Sequence, residues 1–394
     1  MRSELSPSLR EQALGLLASP LRWPLVLERA RRYDILPLLY RRLQTLEFTG
    51  VPAPIVTELA NTFRRNAMRN EFLARELARI LGLLSDAGIP VMPLKGIALA
   101  ERLYEDPALR TAADIDILVP ARNVADAFRR IVASGYEPEF AAPALIDLLA
   151  RYGKDCSLAW QDGACVYPLE LHCGLVWGGR LEREVQERIW SGAVRRPFRG
   201  VSALALSPEW EFLYLAVHAA RHRWLSLKWF IDLDRLCSAW SLDWEQVRRE
   251  ARWLGWERAL HSSLSVCSSL LATPVPSTLV STGMNCPAWP TLVPAERRVR
   301  VPRPSDFQVA AEIMLYLSLL KTPGRKLRYL ASRFLVPTPA DCRFFRLPPS
   351  LLFLYYLLRP IRVACKALGW LVRYGLSILG LQGGSGRAAG GDLH

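Results

Sequence analysis

GIPVMPLKGIALAERLYEDPALRTAADIDILV runs from Gly88 to Val119. A short apolar run, Ile89 to Leu94, meets Lys95-Gly96. A helical run follows from Ile97 to Tyr104. Asp114 to Val119 then alternates polar and apolar residues, the two-residue period of a strand. Residues i and i+2 of a strand share a face. Asp114 and Asp116 therefore point one way, and Ile115, Ile117 and Val119 point into a core.

Outward from this stretch the pattern continues. Arg122 to Ser134 is helical and Gly135 stops it. Cys156–Trp160 and Val166–Cys173 are two further strand candidates. Strand, helix, strand, helix, strand, strand is the order of a small mixed α/β domain, placed at 89–206. Residues 1–88 read helical. The longest stretch starts at Pro54 and ends at Asp86, with Gly88 as its stop. The arginines along it, Arg64 to Arg79, read as a solvated face. Residues 207–272 form a helical subdomain opened by Ser207 as N-cap and Pro208 at the first position, with helices at 208–223, 227–239, 243–253 and 256–272. Seven prolines make 273–305 a linker. Residues 306–381 are helical, apolar and basic, and the Gly-rich tail 382–394 reads as disordered.

The chain has 394 residues, 51% of them apolar and 22% charged, which excludes wholesale disorder. Its net charge of +14 favours anionic partners. Twelve Lys/Arg against two Asp lie between Leu320 and His394, so most of that surplus belongs to the C-terminal part. The eight cysteines form no CxxC pair and no zinc spacing, which fits reduced thiols and a cytoplasmic protein. The N-terminus reads as a capped amphipathic helix, with Glu4, Arg10 and Glu11 where a signal peptide would be apolar.

Two carboxylates side by side on an apolar strand repel each other and are costly to desolvate. A divalent cation resolves that conflict, and magnesium is held through one or two carboxylates plus substrate phosphates. The plain alternative is two exposed aspartates on an edge strand. Upstream, Gly96 lets backbone approach a phosphate where a helix N-terminus offers free N–H groups, and Lys95 adds a point charge. Downstream, Glu170 and His172 share a strand face, so a neighbouring strand can bring Glu170 beside the Asp pair. His172 is read as a hydrogen-bonding brace ahead of a metal ligand. His218 and His222 lie one helical turn apart; a structural helix presenting polar groups to a cleft is preferred over zinc. Asp232 and Asp234, two apart on a helix, do not share a face and are not a second metal pair.

These residues resemble the uncharacterised nucleotidyltransferase family of the polymerase-β-like superfamily. The resemblance rests on Leu94-Lys95-Gly96, Tyr104, Arg110, Asp114-Ile115-Asp116-Ile117-Leu118-Val119 and Glu170-Leu171-His172. A later helix with His218 and His222, followed by Asp232, fits as well, so the likeness spans roughly 30 to 270. It implies an α+β fold, a small mixed-sheet nucleotidyltransferase-like domain flanked by N-terminal and C-terminal helical regions. It also implies magnesium- or manganese-dependent transfer of a nucleoside monophosphate from a nucleoside triphosphate, with Asp114, Asp116 and Glu170 holding the metal. Lys95, Gly96, Arg110 and His172 make up the cofactor-binding set, with Arg110 open between reaching a phosphate and bracing the Asp strand. One departure stands out: the turn is Lys-Gly, without the Gly-Gly or Gly-Ser of the superfamily, and seventeen residues separate Gly96 from Asp114.

Two other function classes stay open at this level. One keeps the site and acts on a phosphorylated peptide or glycan, for which the missing turn serine speaks. The other is a non-enzymatic anion- or membrane-binding protein led by the basic C-terminal region. A sugar, peptide, protein or small-molecule acceptor fits the sequence equally well. Nucleic acid is disfavoured, because the basic residues are interleaved with long apolar runs and no RNP-type aromatic motif occurs. Lys366 and Arg373 inside Val363–Leu381 argue against a spanning helix. Residues 350–381 then either pack on the core or lie on anionic lipid as a peripheral contact at the inner membrane face.

Overall fold

The structure is a computed structural model that describes residues 5–138, 146, 155–163, 165–175, 179–222, 224–279, 313–314, 316–318, 320, 322–338, 341, 344–345 and 347–378. Most of the expected linker, part of 306–381 and the whole tail 382–394 lie outside the described residues.

Four helices come first: α1 (Pro7–Leu17), α2 (Trp23–Arg32), α3 (Leu36–Thr45) and α4 (Ala53–Asp86). Ser6 caps α1 by accepting a hydrogen bond from the Leu9 amide. Trp23, Leu27, Leu43 and Leu59 close a separate N-terminal apolar cluster. The mixed sheet is built from β1 (Met92–Pro93), β2 (Ile115–Leu118), β3 (Glu137–Pro138), β4 (Cys156–Asp162) and β5 (Cys165–His172), in the order β1-β2-β5-β4-β3. Helix α5 (Gly96–Leu103) connects β1 to the approach to β2, and α6 (Val124–Ala133) follows β2. Strands β2 and β5 run parallel; the other pairs are antiparallel.

The side chains of β2 alternate between two cores. Ile115 and Ile117 join Leu169, Leu171 and the α4 residues Leu77, Ile80 and Leu81 on one face. Leu118 turns to the other face and the helical core. The edge-strand alternative is corrected: β2 lies between β1 and β5, and Asp116 is only 3% exposed.

The helical subdomain matches the sequence pattern closely. It comprises α8 (Pro208–Arg221), α9 (Leu227–Ala239), α10 (Trp244–Leu254) and α11 (Glu257–Leu271). Before it come α7 (Gly179–Ser191) and a hairpin of β6 (Val194–Phe198) and β7 (Val201–Ala205), which the hydrophobic pattern did not reveal. The hairpin turn is Arg199-Gly200, both with positive φ (+46° and +83°). Asn-Gly or Asp-Gly is the usual signal for such a turn, and arginine resists that conformation. Here Arg199 is held by ion pairs of 2.7 Å to Glu71 on α4 and to Glu101 on α5.

C-terminal to these lie α12 (Pro323–Phe334) and α13 (Tyr355–Ile378). Helix α13 continues through Pro360. Tyr355 at its start is buried in the sheet-side core.

One buried ion pair ties the sheet domain to the helical subdomain. Arg110 donates through Nε and Nη2 to the two carboxylate oxygens of Asp232 on α9, both at 2.9 Å. Tyr104 donates its hydroxyl to Asp232 Oδ1 at 2.7 Å. Arg110 Nη1 also donates to the Gly96 carbonyl at 2.9 Å. Asp232 is 0% exposed. Removing one partner of such a pair strands a buried charge, which costs about 3–5 kcal/mol. Asp232→Ala is therefore expected to lose about that much in urea denaturation, and Tyr104→Phe only about 1–2 kcal/mol. Equal losses for the two variants would show that the charge pair is not the dominant bond.

Candidate functional site

Parallel pairing of β2 with β5 sets Asp116 opposite Glu170 and Leu118 opposite His172. The neighbouring-strand arrangement expected for Glu170 is thus present. His172 is the hub. Its Nε2 lies 2.9 Å from Asp116 Oδ1 and 3.4 Å from Glu170 Oε2, and its Nδ1 lies 2.7 Å from Asp155 Oδ1. Burial alone would lower the imidazole pKa, but Asp155, Asp116 and Glu170 raise it well above its ordinary value. His172 therefore sits as a cation that donates from both nitrogens, the bracing geometry.

Lys95 Nζ lies 3.2 Å from the same Asp116 oxygen. Burial works against its charge, yet Asp116, Tyr214, Asp114 and Glu170 together raise its pKa. Asp116 answers in kind. Burial pushes its carboxyl up, but the His172 hydrogen bond and the Lys95 charge outweigh that, and its pKa falls to about 2. Two cations thus share Oδ1, while Oδ2 is buried with no hydrogen-bond partner. An orphaned carboxylate oxygen in such a place is costly unless something else satisfies it.

The residues fit a divalent cation. Asp116, Glu170 and His172 each present a ligand atom within 4.8 Å of the others. Protonated His172 has no lone pair to offer, so the donors are the carboxylate oxygens of Asp116 and Glu170, which suit magnesium or manganese. Asp114 lines the same cleft but lies outside that cluster of three. Burial and the nearby Asp116 raise its pKa.

Beside the carboxylates lies the start of α5. Gly96 takes φ +65°, and a Cβ there would meet the Asp114 carbonyl oxygen at 3.3 Å. Glycine is required here both for the backbone angle and for the close approach to β2. Leu94 donates its amide to the Asp116 carbonyl at 2.9 Å, joining the turn to the carboxylate strand. Arg110 has a different employment: its guanidinium is committed to Asp232 and the Gly96 carbonyl, which is the bracing alternative.

Helix α4 holds the loop before β2. Asn66 donates to the Ala108 carbonyl at 2.6 Å, Asn70 donates to those of Pro107 and Arg110 at 2.8 Å, and Arg69 donates to those of Ala112 and Ala113. Arg69 is therefore not part of a merely solvated face. A cavity of about 420 Å³ opens between Lys95, Gly96, Asp114 and Glu170 on one wall and His218, His222, Lys228 and Trp229 on the other. Lys228 Nζ lies 3.3 Å from Thr111 Oγ1 and 3.4 Å from Asp34.

Four of these residues escape sequence reasoning. Asp155 had a signal: Cys156 pairs with Leu171 in the antiparallel β4–β5 ladder, so the preceding residue falls opposite His172. Asn66 and Asn70 sit one turn apart on α4, but nothing in the pattern says that carbonyls lie above them. Lys228 carries no local signal. Asp234 accepts from Thr273 Oγ1 at 2.7 Å, so both aspartates of α9 serve the interior.

A mixed sheet thus sets carboxylates beside a Lys-Gly helix start at one wall of a cleft. Comparison with known proteins carries this further. The profile of the uncharacterised nucleotidyltransferase family matches residues 19–272, well over half of the chain, and the chain belongs to that family. A solved structure, an antigenic nucleotidyltransferase-like protein from Paracoccidioides brasiliensis, is similar at 17% identity and a TM-score of 0.34, covering 52% of this chain and 95% of its own. No curated protein matches significantly.

The cleft histidines give a pH prediction. Burial, Lys95 and the neighbouring His222 hold the His218 pKa well below its usual value. Burial and Arg221 bring His222 to about 4. The unfolded chain binds these protons near pH 6.5, and the folded chain only at lower pH. Stability is then full above about pH 6.5 and declines as the pH falls toward about 4. Urea denaturation across that window should show the decline, and His218→Gln/His222→Gln should flatten it. An unchanged slope would mean that neither ring is held neutral.

Proposed function

We propose that this chain transfers a nucleoside monophosphate from a nucleoside triphosphate to an acceptor, with magnesium or manganese in the site and pyrophosphate as the leaving group. The observation that carries this is the Asp116–Glu170 register, with the unpartnered Asp116 Oδ2 beside Lys95 and the start of α5.

Asp116 and Glu170, with Asp114 at the cleft wall, would hold the cation, which supplies neutralising charge to the phosphates. The rest is the work of the chain. The amides at the start of α5 and the Lys95 ammonium bind phosphate oxygens. His172 keeps Asp116 ionised and fixed in one orientation between Asp155 and Glu170. Gly96 allows the α5 backbone to lie against β2, so phosphate donors and carboxylates stand on one wall. An acceptor oxygen or nitrogen attacks the α-phosphorus, its bond to phosphorus forms, and the bond to the β-phosphate oxygen breaks. Catalysis is positioning plus preorganised charge.

Calorimetry of nucleoside triphosphate binding, with and without magnesium or manganese, tests the reading. Binding should depend on the cation, and Asp114→Ala/Asp116→Ala should lose it while retaining the fold by circular dichroism. Lys95→Ala should weaken binding by about tenfold or more, the worth of a charge-assisted contact. Absence of triphosphate binding in the folded wild-type protein would refute the proposal.

A further inference from the structure

The outward side of α13 is apolar. Leu357, Ile361 and Leu368 are 63%, 57% and 63% exposed. With the exposed Ala364 and Cys365 between them they follow the spacing i, i+4, i+7, i+8, i+11, one stripe along a helix. Phe353, also exposed, lies just before the helix. A helix that covers a core turns this stripe inward; α13 does the reverse.

The inward side explains why it cannot simply roll over. Tyr355 is buried in the sheet-side core, and its hydroxyl accepts from the Leu347 amide at 3.2 Å. Arg359 donates to Asp341 at 3.0 Å, and Arg362 donates to the same carboxylate at 2.5 Å. Asp341 is completely buried. The start of α13 is thus pinned by charge on one side, and the apolar stripe is held facing away.

Charge says what covers it. Seven Lys/Arg and no Asp or Glu lie between residues 342 and 391. Two of the seven are used by Asp341; Lys366, on α13, is exposed. A protein partner would impose no such one-signed composition over fifty residues, whereas an anionic lipid surface attracts every cation near it, by about fivefold in partition each. No helix among the described residues is long and apolar enough to cross a membrane. An apolar stripe on a helix within a stretch of sequence whose charges are all positive is the composition of a helix lying in the lipid interface. We propose that α13 docks on an anionic bilayer surface through Leu357, Ile361 and Leu368, and so seats the chain on a membrane.

The test uses the full chain and sedimented vesicles, either pure phosphatidylcholine or an equimolar mixture with phosphatidylglycerol. The protein should pellet with the anionic vesicles, release as salt rises, and stay in solution with the neutral ones. Leu357→Ser/Ile361→Ser should lower anionic-vesicle affinity by about tenfold or more, with magnesium-triphosphate binding and circular dichroism unchanged. A second measurement needs no variant. Cys365 is exposed on the stripe, so anionic vesicles should slow its alkylation, read by peptide mass. Failure to pellet with anionic vesicles would overturn the proposal. So would undiminished binding by the double variant, or alkylation of Cys365 indifferent to lipid. A drop in oligomeric mass of the variant, without a change in vesicle binding, would instead assign the stripe to contact with a second copy.

Discussion

The site depends on one buried ion pair, Arg110 with Asp232. Arg110 comes from the loop before the carboxylate strand, and Asp232 from a helix 122 residues further along the chain. Desolvating two charges is expensive, and such a pair repays it only when every donor is matched. Here Tyr104 and the Gly96 carbonyl complete the set. The same guanidinium therefore holds the glycine turn, the loop and the helical subdomain in one geometry. Asn66, Arg69 and Asn70 hold the loop from the other side. Asp116 takes its position from the sheet, and these bonds fix the loop that leads into it.

Asp116 illustrates how the site manages charge before any ligand arrives. A buried carboxylate next to two others should resist ionisation. Lys95 and His172 reverse that by meeting the same oxygen. The arrangement is asymmetric: one oxygen is doubly satisfied, and the other is left without a partner. Asp155 makes it possible, because without a second carboxylate on its far nitrogen His172 has less reason to carry a proton.

Much of this was legible in the sequence, for reasons that differ by element. The helices 208–272 followed from a clean 3.6-residue period with Ser207 and Pro208 at the start. Alternation around Ile115 and Leu169 showed two strands, and side-chain parity showed that a neighbouring strand can bring Glu170 to the Asp pair, while the pairing itself is seen only in the structure. What stayed hidden was long-range or anomalous. The hairpin at 194–205 turns on an arginine in a glycine-like conformation, bearable only because Glu71 and Glu101 are there to meet it. Tyr104, Arg110 and Asp232 could be noted separately, but not that they close on a single carboxylate. The reverse polarity of α13 also escaped, since periodicity reveals a stripe without saying which way it faces.

The separation between Arg110 and Asp232 also bears on the order of events during synthesis. A chain emerging from the ribosome presents the whole sheet before α9 exists. Until Asp232 emerges, Arg110 has no anion to meet, and burying it alone would be prohibitive. The finished sheet must then wait, with the loop before β2 open to water, for about sixty further residues to be made. At ordinary synthesis rates that is a delay of several seconds. During it α4 and α6 already shelter the face of Ile115 and Leu169, while Leu118 on the other face waits for the helices that cover it.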